Sequence, residues 1–193
     1  MSDFYGVYAH CRDSAWRCLI DFDVRELPVK VVAIARRAGI RVVKDSDVGE
    51  LRRDEYGASI KCADSWTIVY DDSLPAEESR FVIAHELGHI FLGHEMKYGY
   101  HTRKYNIVKP SDETEADMFA ARLLAPACVL WGIGVKTAED IAELCNISYT
   151  AARIRARRLE TLRSRGKFLS SQLERRVYDN FSEFIQNYRK GEI

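Results

Sequence analysis

The chain has 193 residues, of which 47% are hydrophobic and 30% charged, and its formal net charge is zero. This length suits one principal core with a small appendage, and this composition excludes a largely disordered chain. No apolar run is long enough to span a bilayer, and the N-terminal segment lacks the basic start and apolar core of a signal peptide, so we expect a cytoplasmic protein without membrane contact.

The first third of the chain predicts two helices followed by a small sheet. The helices cover residues 10–20 and 28–38, the second with Pro28 in its first turn and Gly39 at its end. Three short segments rich in β-branched and aromatic residues, separated by polar turns, follow at 40–45, 57–63 and 66–72. This pattern is typical of strands, so we expect a sheet of three strands.

The middle of the chain predicts two longer helices joined by a loop. The first helix covers about residues 76–93. Residues 99–112 are polar and contain Pro110, which predicts a loop. The second helix starts with Ser111 as its cap and ends at Pro126.

The last third of the chain predicts helices alone. Residues 136–165 resemble a helix-turn-helix pair that turns at Asn146, with Thr137 and Ser148 as N-caps. The pattern of residues 168–190 predicts one amphipathic helix with a single apolar stripe. The stripe could cover the protein's own core or a second copy of the chain, so the oligomeric state stays open.

Basic residues are concentrated near the C-terminus. From Arg153 to Arg176 the chain has nine basic residues and two acidic ones, a surplus of seven positive charges. The arginines of the second helix in the pair could neutralise DNA phosphates, with a few reading base edges. They could equally form a solvated face or a packing or docking element. DNA binding or partner binding is therefore one candidate function of the chain.

The five cysteines are odd in number and form no C-x-x-C pair. This argues against a disulfide framework and against a zinc site of four thiolates. We expect reduced thiols with mostly structural roles.

The segment HELGH, residues 85–89, fits the motif H-E-x-x-H. Positions i and i+4 lie on one face of a helix, so His85 and His89 can converge on one metal ion. Glu86 lies about 100° further round the axis, which suits a general base acting on water rather than a ligand. The alternative is that both are core histidines hydrogen-bonded to backbone. Gly88 thins one face, where a strand or a substrate could approach closely.

Catalytic zinc usually has three protein ligands, so a third ligand is needed. A longer H-E-x-x-H-x-x-G-x-x-H motif would require glycine at position 92 and histidine at position 95, where the chain has Leu92 and Glu95. The helix that follows offers Glu113, with Glu115 as the alternative about 200° round the axis. Asp117 shares a face with Glu113 and could accept a hydrogen bond from a ligand histidine. A solvated acidic first turn is the structural alternative for these carboxylates.

Two segments together, RFVIAHELGHIFLGH and ETEADMFAARLLAP, resemble the ImmA/IrrE family of zinc-dependent metallopeptidases. The resemblance covers about residues 10–165. It implies an α+β fold in which a reduced zincin-like domain of residues 1–130, with a small three-stranded sheet, precedes a helical region of residues 131–193. It also implies that His85, His89 and Glu113 hold zinc, that Glu86 is the general base or acid, and that Asp117 orients a ligand.

The same resemblance implies a protein substrate, in particular a helix-turn-helix repressor of a phage or mobile element, which is cleaved to relieve repression. A donor to the oxyanion is still needed, and Tyr98, Tyr100, His101 and Tyr105 are candidates because they precede Glu113 closely in sequence. An edge strand within residues 57–62 could bind extended substrate by strand addition.

Overall fold

A computed structural model describes residues 2–94, 100–104 and 111–192, with the backbone alone for residues 2–5 and 100–104. The helices are α1 (Ser2–Asp21), α2 (Val31–Arg37), α3 (Asp45–Val48), α4 (Ala76–Leu92), α5 (Ser111–Leu124), α6 (Ala127–Ile133), α7 (Ala138–Cys145), α8 (Tyr149–Ser164), α9 (Gln172–Asn180) and α10 (Ser182–Lys190). The strands are β1 (Ile40–Lys44), β2 (Glu55–Cys62), β3 (Ser65–Tyr70) and β4 (Tyr100–Lys104).

The strands form one mixed sheet in the order β1-β3-β2-β4. Strand β1 runs parallel to β3, and β2 runs antiparallel to β3 with Ala58 opposite Val69. These three strands match the three predicted from β-branched and aromatic segments. The predicted fold class, α+β with a helical C-terminal region, is confirmed.

The fourth strand corrects the prediction of a loop over residues 99–112. Strand β4 pairs antiparallel with β2, with His101 opposite Ser59. Its residues are mostly polar, so the pairing partner in the sheet, which is distant in sequence, decided their conformation. Strand β2 is consequently internal, and residues 57–62 are not the free edge that we expected for substrate.

The first compact unit comprises Met1–Ser14 and Val31–Ala120. Helix α4 packs on the sheet against β2 and β3. A Cβ atom on Gly57 of β2 would lie 2.3 Å from Val82 Cγ1 of α4, so only glycine permits this closeness. The close packing brings the HELGH segment over β2.

The second compact unit comprises Ala15–Lys30 and Ala121–Ile193. Its terminal segment consists of two helices, α9 and α10, that meet at Phe181 rather than the single predicted helix. Both pack against α6, and the periodicity of the sequence does not show the break between them. Three residues of the predicted stripe, Val177, Phe181 and Ile185, are buried, so this part of the stripe covers the core of the unit.

The predicted helix-turn-helix-like pair is formed by α7 and α8. Asn146 adopts the left-handed conformation at φ 48°. At the helix N-termini, the Thr137 hydroxyl accepts a hydrogen bond from the backbone N–H of Asp140, and the Ser148 hydroxyl accepts one from that of Ala151. The predicted boundary between residues 130 and 131 stays a prediction.

The N-terminal helices differ in length from those predicted. Helix α1 begins at Ser2, well before residue 10, and α2 begins at Val31. Pro28, which we expected in the first turn of α2, therefore lies three residues before it. Gly39 follows α2 in the left-handed conformation, at φ 72°.

The five cysteines all lie within the described residues and are free thiols. Four of them are buried, and Cys62 is exposed. Burial raises the pKa of the Cys128 thiol to about 12, so this group stays protonated and unreactive at neutral pH.

One segment, Ser111–Ile133, is apolar enough by composition to cross a membrane, but 72% of its most apolar window is buried inside the protein. It comprises α5 and α6. Apolar segments that are largely buried in this way are typical of protein cores.

Candidate metal centre

Helix α4 buries all three functional residues of its HELGH segment, since His85, Glu86 and His89 are each 0% exposed. Polar groups that are buried in this way cost free energy unless they have partners. Strand β2 covers the helix on one side and α5 approaches it on another. The partners of these three residues therefore come from β2, from α5 and from His94 just after the end of α4.

The imidazoles of His85 and His89 and the carboxylate of Glu113 come together in one cluster. The two Nε2 atoms are 3.0 Å apart. The Glu113 Oε2 atom is 3.3 Å from His85 Nε2, and its Oε1 atom is 3.4 Å from His89 Nε2. The three ligand atoms all lie within 4.8 Å of one another.

These separations fit a zinc ion. Ligand atoms at 2.0–2.1 Å from a tetrahedral ion are about 3.3 Å from each other. Here the two Nε2 atoms are 3.0 Å apart, and each of them has a different Glu113 oxygen at 3.3 or 3.4 Å. Two imidazole nitrogens and a carboxylate oxygen are also donors that zinc accepts, and a set of three leaves a position open for water. The donor chemistry and the spacing are thus compatible with a metal site of two histidines and one glutamate.

Glu113 has the charge that a ligand needs. Burial alone would raise the pKa of its carboxyl, but hydrogen bonding and charge interactions with His85 and His89 outweigh that effect. The pKa therefore lies well below its ordinary value, and the group is ionised at neutral pH.

Asp117 lies one turn after Glu113 on α5, and its Oδ1 atom is 2.9 Å from His85 Nδ1. When Nδ1–H donates to this carboxylate, the lone pair of Nε2 points at the cluster. Glu115 faces elsewhere and contacts His94, with its Oε2 atom 3.6 Å from His94 Nε2. The rotation of about 200° between Glu113 and Glu115 thus separates their positions.

Ser59 contacts the site although the sequence did not predict it. Its hydroxyl on β2 donates to Glu86 Oε2 at 2.5 Å, and both side chains are fully buried. Residues 59 and 86 are far apart in sequence, and one serine in an apolar strand gives no local signal. His94, for which the sequence predicted no role, also contacts the site, with its Nδ1 atom 2.9 Å from His89 Nδ1.

The proposed oxyanion donors are placed only in part. Tyr98 and Tyr105 lie outside the described residues. Tyr100 and His101 belong to β4, where the backbone alone is described, and His101 is opposite Ser59 in the sheet. Their role as donors stays a prediction.

Gly88 permits the approach of α5 to α4. A Cβ atom at this position would lie 3.1 Å from Ala116 Cα and 3.2 Å from Phe119 Cδ1. The expectation of a strand or substrate against this thin face is therefore wrong, because α5 occupies it. Because Gly88 has no side chain, α5 can come close enough to α4 for its Glu113 to reach both imidazoles.

We expect Gly88→Ala to destabilise the protein by about 1–3 kcal/mol, the usual cost of overpacking, and to weaken zinc binding because α5 must move. Gly6→Ala in α1 is the matched control, since a Cβ there meets nothing within 4 Å. This control should be neutral or stabilising by up to about 1 kcal/mol. Urea denaturation and zinc titration of both variants measure the effects, and equal behaviour of the two would contradict the packing argument.

Comparison with known families identifies one match. The sequence model of a peptidase family, M78, described as the IrrE N-terminal-like domain, matches residues 35–157. This range contains the HELGH segment and Glu113. Comparisons with curated proteins and with solved structures found no match. The match covers more than half of the chain and agrees with the resemblance seen in the sequence, so the chain belongs to the M78, ImmA/IrrE-type, family of metallopeptidases.

Proposed function

We propose that this chain is a zinc-dependent endopeptidase of the cytoplasm that cuts a repressor-type regulatory protein. The observation that carries the proposal is the buried cluster of His85, His89 and Glu113. Glu86 lies on α4, the helix that holds the two histidines. Membership of a peptidase family supports a protein substrate. A helix-turn-helix repressor, with relief of repression as the outcome, is the finer proposal and rests on the resemblance.

His85, His89 and Glu113 would hold the ion. When bound, zinc polarises the scissile carbonyl and lowers the pKa of water. Asp117 holds the ring of His85 through Nδ1, and the low pKa of Glu113 keeps a negative charge at the site.

Glu86 would move the proton. Its carboxylate accepts a proton from the attacking water and returns it to the leaving amine, as a general base and then a general acid. Ser59 holds Oε2 of this carboxylate, so the group is oriented before substrate binds. Tyr98 and His101 are the proposed donors to the oxyanion.

The proposal is tested by removing the metal. The full chain is incubated with candidate repressors encoded in the same genomic neighbourhood, with and without a chelator, and the products are identified by mass spectrometry. We expect discrete fragments that disappear with the chelator and return when Zn²⁺ is added. Fragments that persist at full yield in chelator would contradict the metal mechanism, as would a zinc-free chain after exposure to Zn²⁺.

DNA binding is the second candidate, and the exposed face of α8 favours it. Arg153 and Arg157 are exposed there, and Ile154 is 65% exposed. Two other arginines serve the fold, since Arg155 donates to the Ala125 carbonyl and Arg163 to that of Val135. The DNA account is favoured if charge reversal at positions 153 and 157 abolishes regulation while Glu86→Gln leaves it intact.

A further inference from the structure

We propose that His94 is a positioning residue that fixes the tautomer of His89, and that Glu115 in turn holds His94. This inference rests on the proposed zinc site, because it concerns how one ligand presents its lone pair. It assigns a role to His94, for which the sequence predicted none, and to Glu115, which the sequence offered only as an alternative metal ligand.

The end of α4 places His94 against His89. Gly93 follows the helix in the left-handed conformation at φ 71° and donates its N–H to the Ile90 carbonyl. The N–H of His94 donates to the His89 carbonyl at 3.1 Å. In this two-bond helix ending, the residue after the glycine packs on the residue five positions earlier, usually as an apolar contact. Here the contact joins two imidazoles, whose ring centroids are 5.0 Å apart.

The contact between the rings fixes a proton. Two Nδ1 atoms 2.9 Å apart form a hydrogen bond only if one of them carries hydrogen. A neutral His89 that offers the Nε2 lone pair to a metal must carry its proton on Nδ1, so His89 donates. His94 then accepts at Nδ1 and carries its own proton on Nε2.

Glu115 lies on the Nε2 side of the His94 ring. Its Oε2 atom is 3.6 Å from His94 Nε2, which is longer than a hydrogen bond, but its negative charge favours hydrogen on the nitrogen that faces it. The His94 side chain is only 8% exposed. Burial therefore keeps the ring in place between His89 and Glu115.

The two histidine ligands would thus be held in different ways. Asp117 contacts Nδ1 of His85 directly, whereas Glu115 acts on His89 through the intervening imidazole of His94. His94 cannot itself join the cluster through Nδ1, because that atom contacts the opposite side of the His89 ring from Nε2.

The test measures Zn²⁺ affinity by competition with a chromogenic chelator. We expect His94→Ala to weaken Zn²⁺ binding about 10–100-fold, the usual effect of losing a partner that orients a ligand. His94→Gln should lose less Zn²⁺ affinity than His94→Ala, because its amide oxygen can accept a hydrogen bond from His89 Nδ1. Glu115→Gln should weaken Zn²⁺ binding less than about tenfold. The control His10→Ala, at an exposed site on α1, should bind Zn²⁺ as tightly as the wild type.

A second readout does not depend on any variant. In the zinc-loaded wild type, ¹H–¹⁵N correlation spectra of the imidazoles should show His89 protonated at Nδ1 and His94 protonated at Nε2. Zn²⁺ affinity of His94→Ala within twofold of the wild type, or hydrogen on Nδ1 of His94, would overturn the inference. A wild type that binds no Zn²⁺ would overturn the proposed function instead.

Discussion

Replacing Glu86 with glutamine is expected to abolish peptide cleavage while zinc binding and folding are retained. General acid–base catalysis contributes about 10²–10⁴-fold to rate, and an amide cannot accept the proton. The glutamine oxygen can still accept the hydrogen bond that Ser59 donates to Glu86 Oε2, so the buried serine keeps a partner. Cleavage rate with a repressor substrate, zinc content and the urea unfolding midpoint measure the three parts of the expectation.

Ser59→Ala is the companion variant, because it leaves the carboxylate but removes the group that orients it. We expect a smaller loss of cleavage, on the order of tenfold, with unchanged zinc affinity. The general-base role is wrong if Glu86→Gln cleaves at the wild-type rate. Loss of zinc from Glu86→Gln would instead indicate that residue 86 is a ligand.

Replacing Glu113 with glutamine is expected to weaken zinc binding by more than about 100-fold, beyond the range seen when only an orienting partner is lost. The reason is charge, because the carboxylate lies 3.3–3.4 Å from both imidazole nitrogens and its low pKa keeps it ionised. A neutral amide of the same shape offers neither the charge nor the ligand strength. Isothermal titration with Zn²⁺ measures the loss.

Glu115→Gln is the matched control for this variant, since it lies two residues away on the same helix and contacts His94 rather than the cluster. Its loss of affinity should stay below about tenfold. If the two variants lose zinc equally, or Glu115→Gln loses more, then Glu113 is not the third ligand and the cluster has another purpose.

Most of the helices and three of the four strands could be predicted from sequence because their signals are local, whereas the short helices α3 and α6 were not predicted. Turn residues and β-branched segments mark β1 to β3, and the side chains of Thr137 and Ser148 cap their helices as expected. Strand β4 could not be predicted, since its polar residues gain a partner only when β2 is already in the sheet. The break at Phe181 between α9 and α10 was not predicted either, and both of these helices pack against α6.

The sequence by itself determined the spacing of His85 and His89 and the rotation that separates Glu113 from Glu115, since both follow from the period of one helix. Only the tertiary structure decided which surfaces meet. Gly57 and Gly88 let β2 and α5 approach α4, and these approaches bring Ser59 to Glu86 and Asp117 to His85. Such contacts join residues 27 and 32 positions apart, so packing, rather than any local periodicity, creates them.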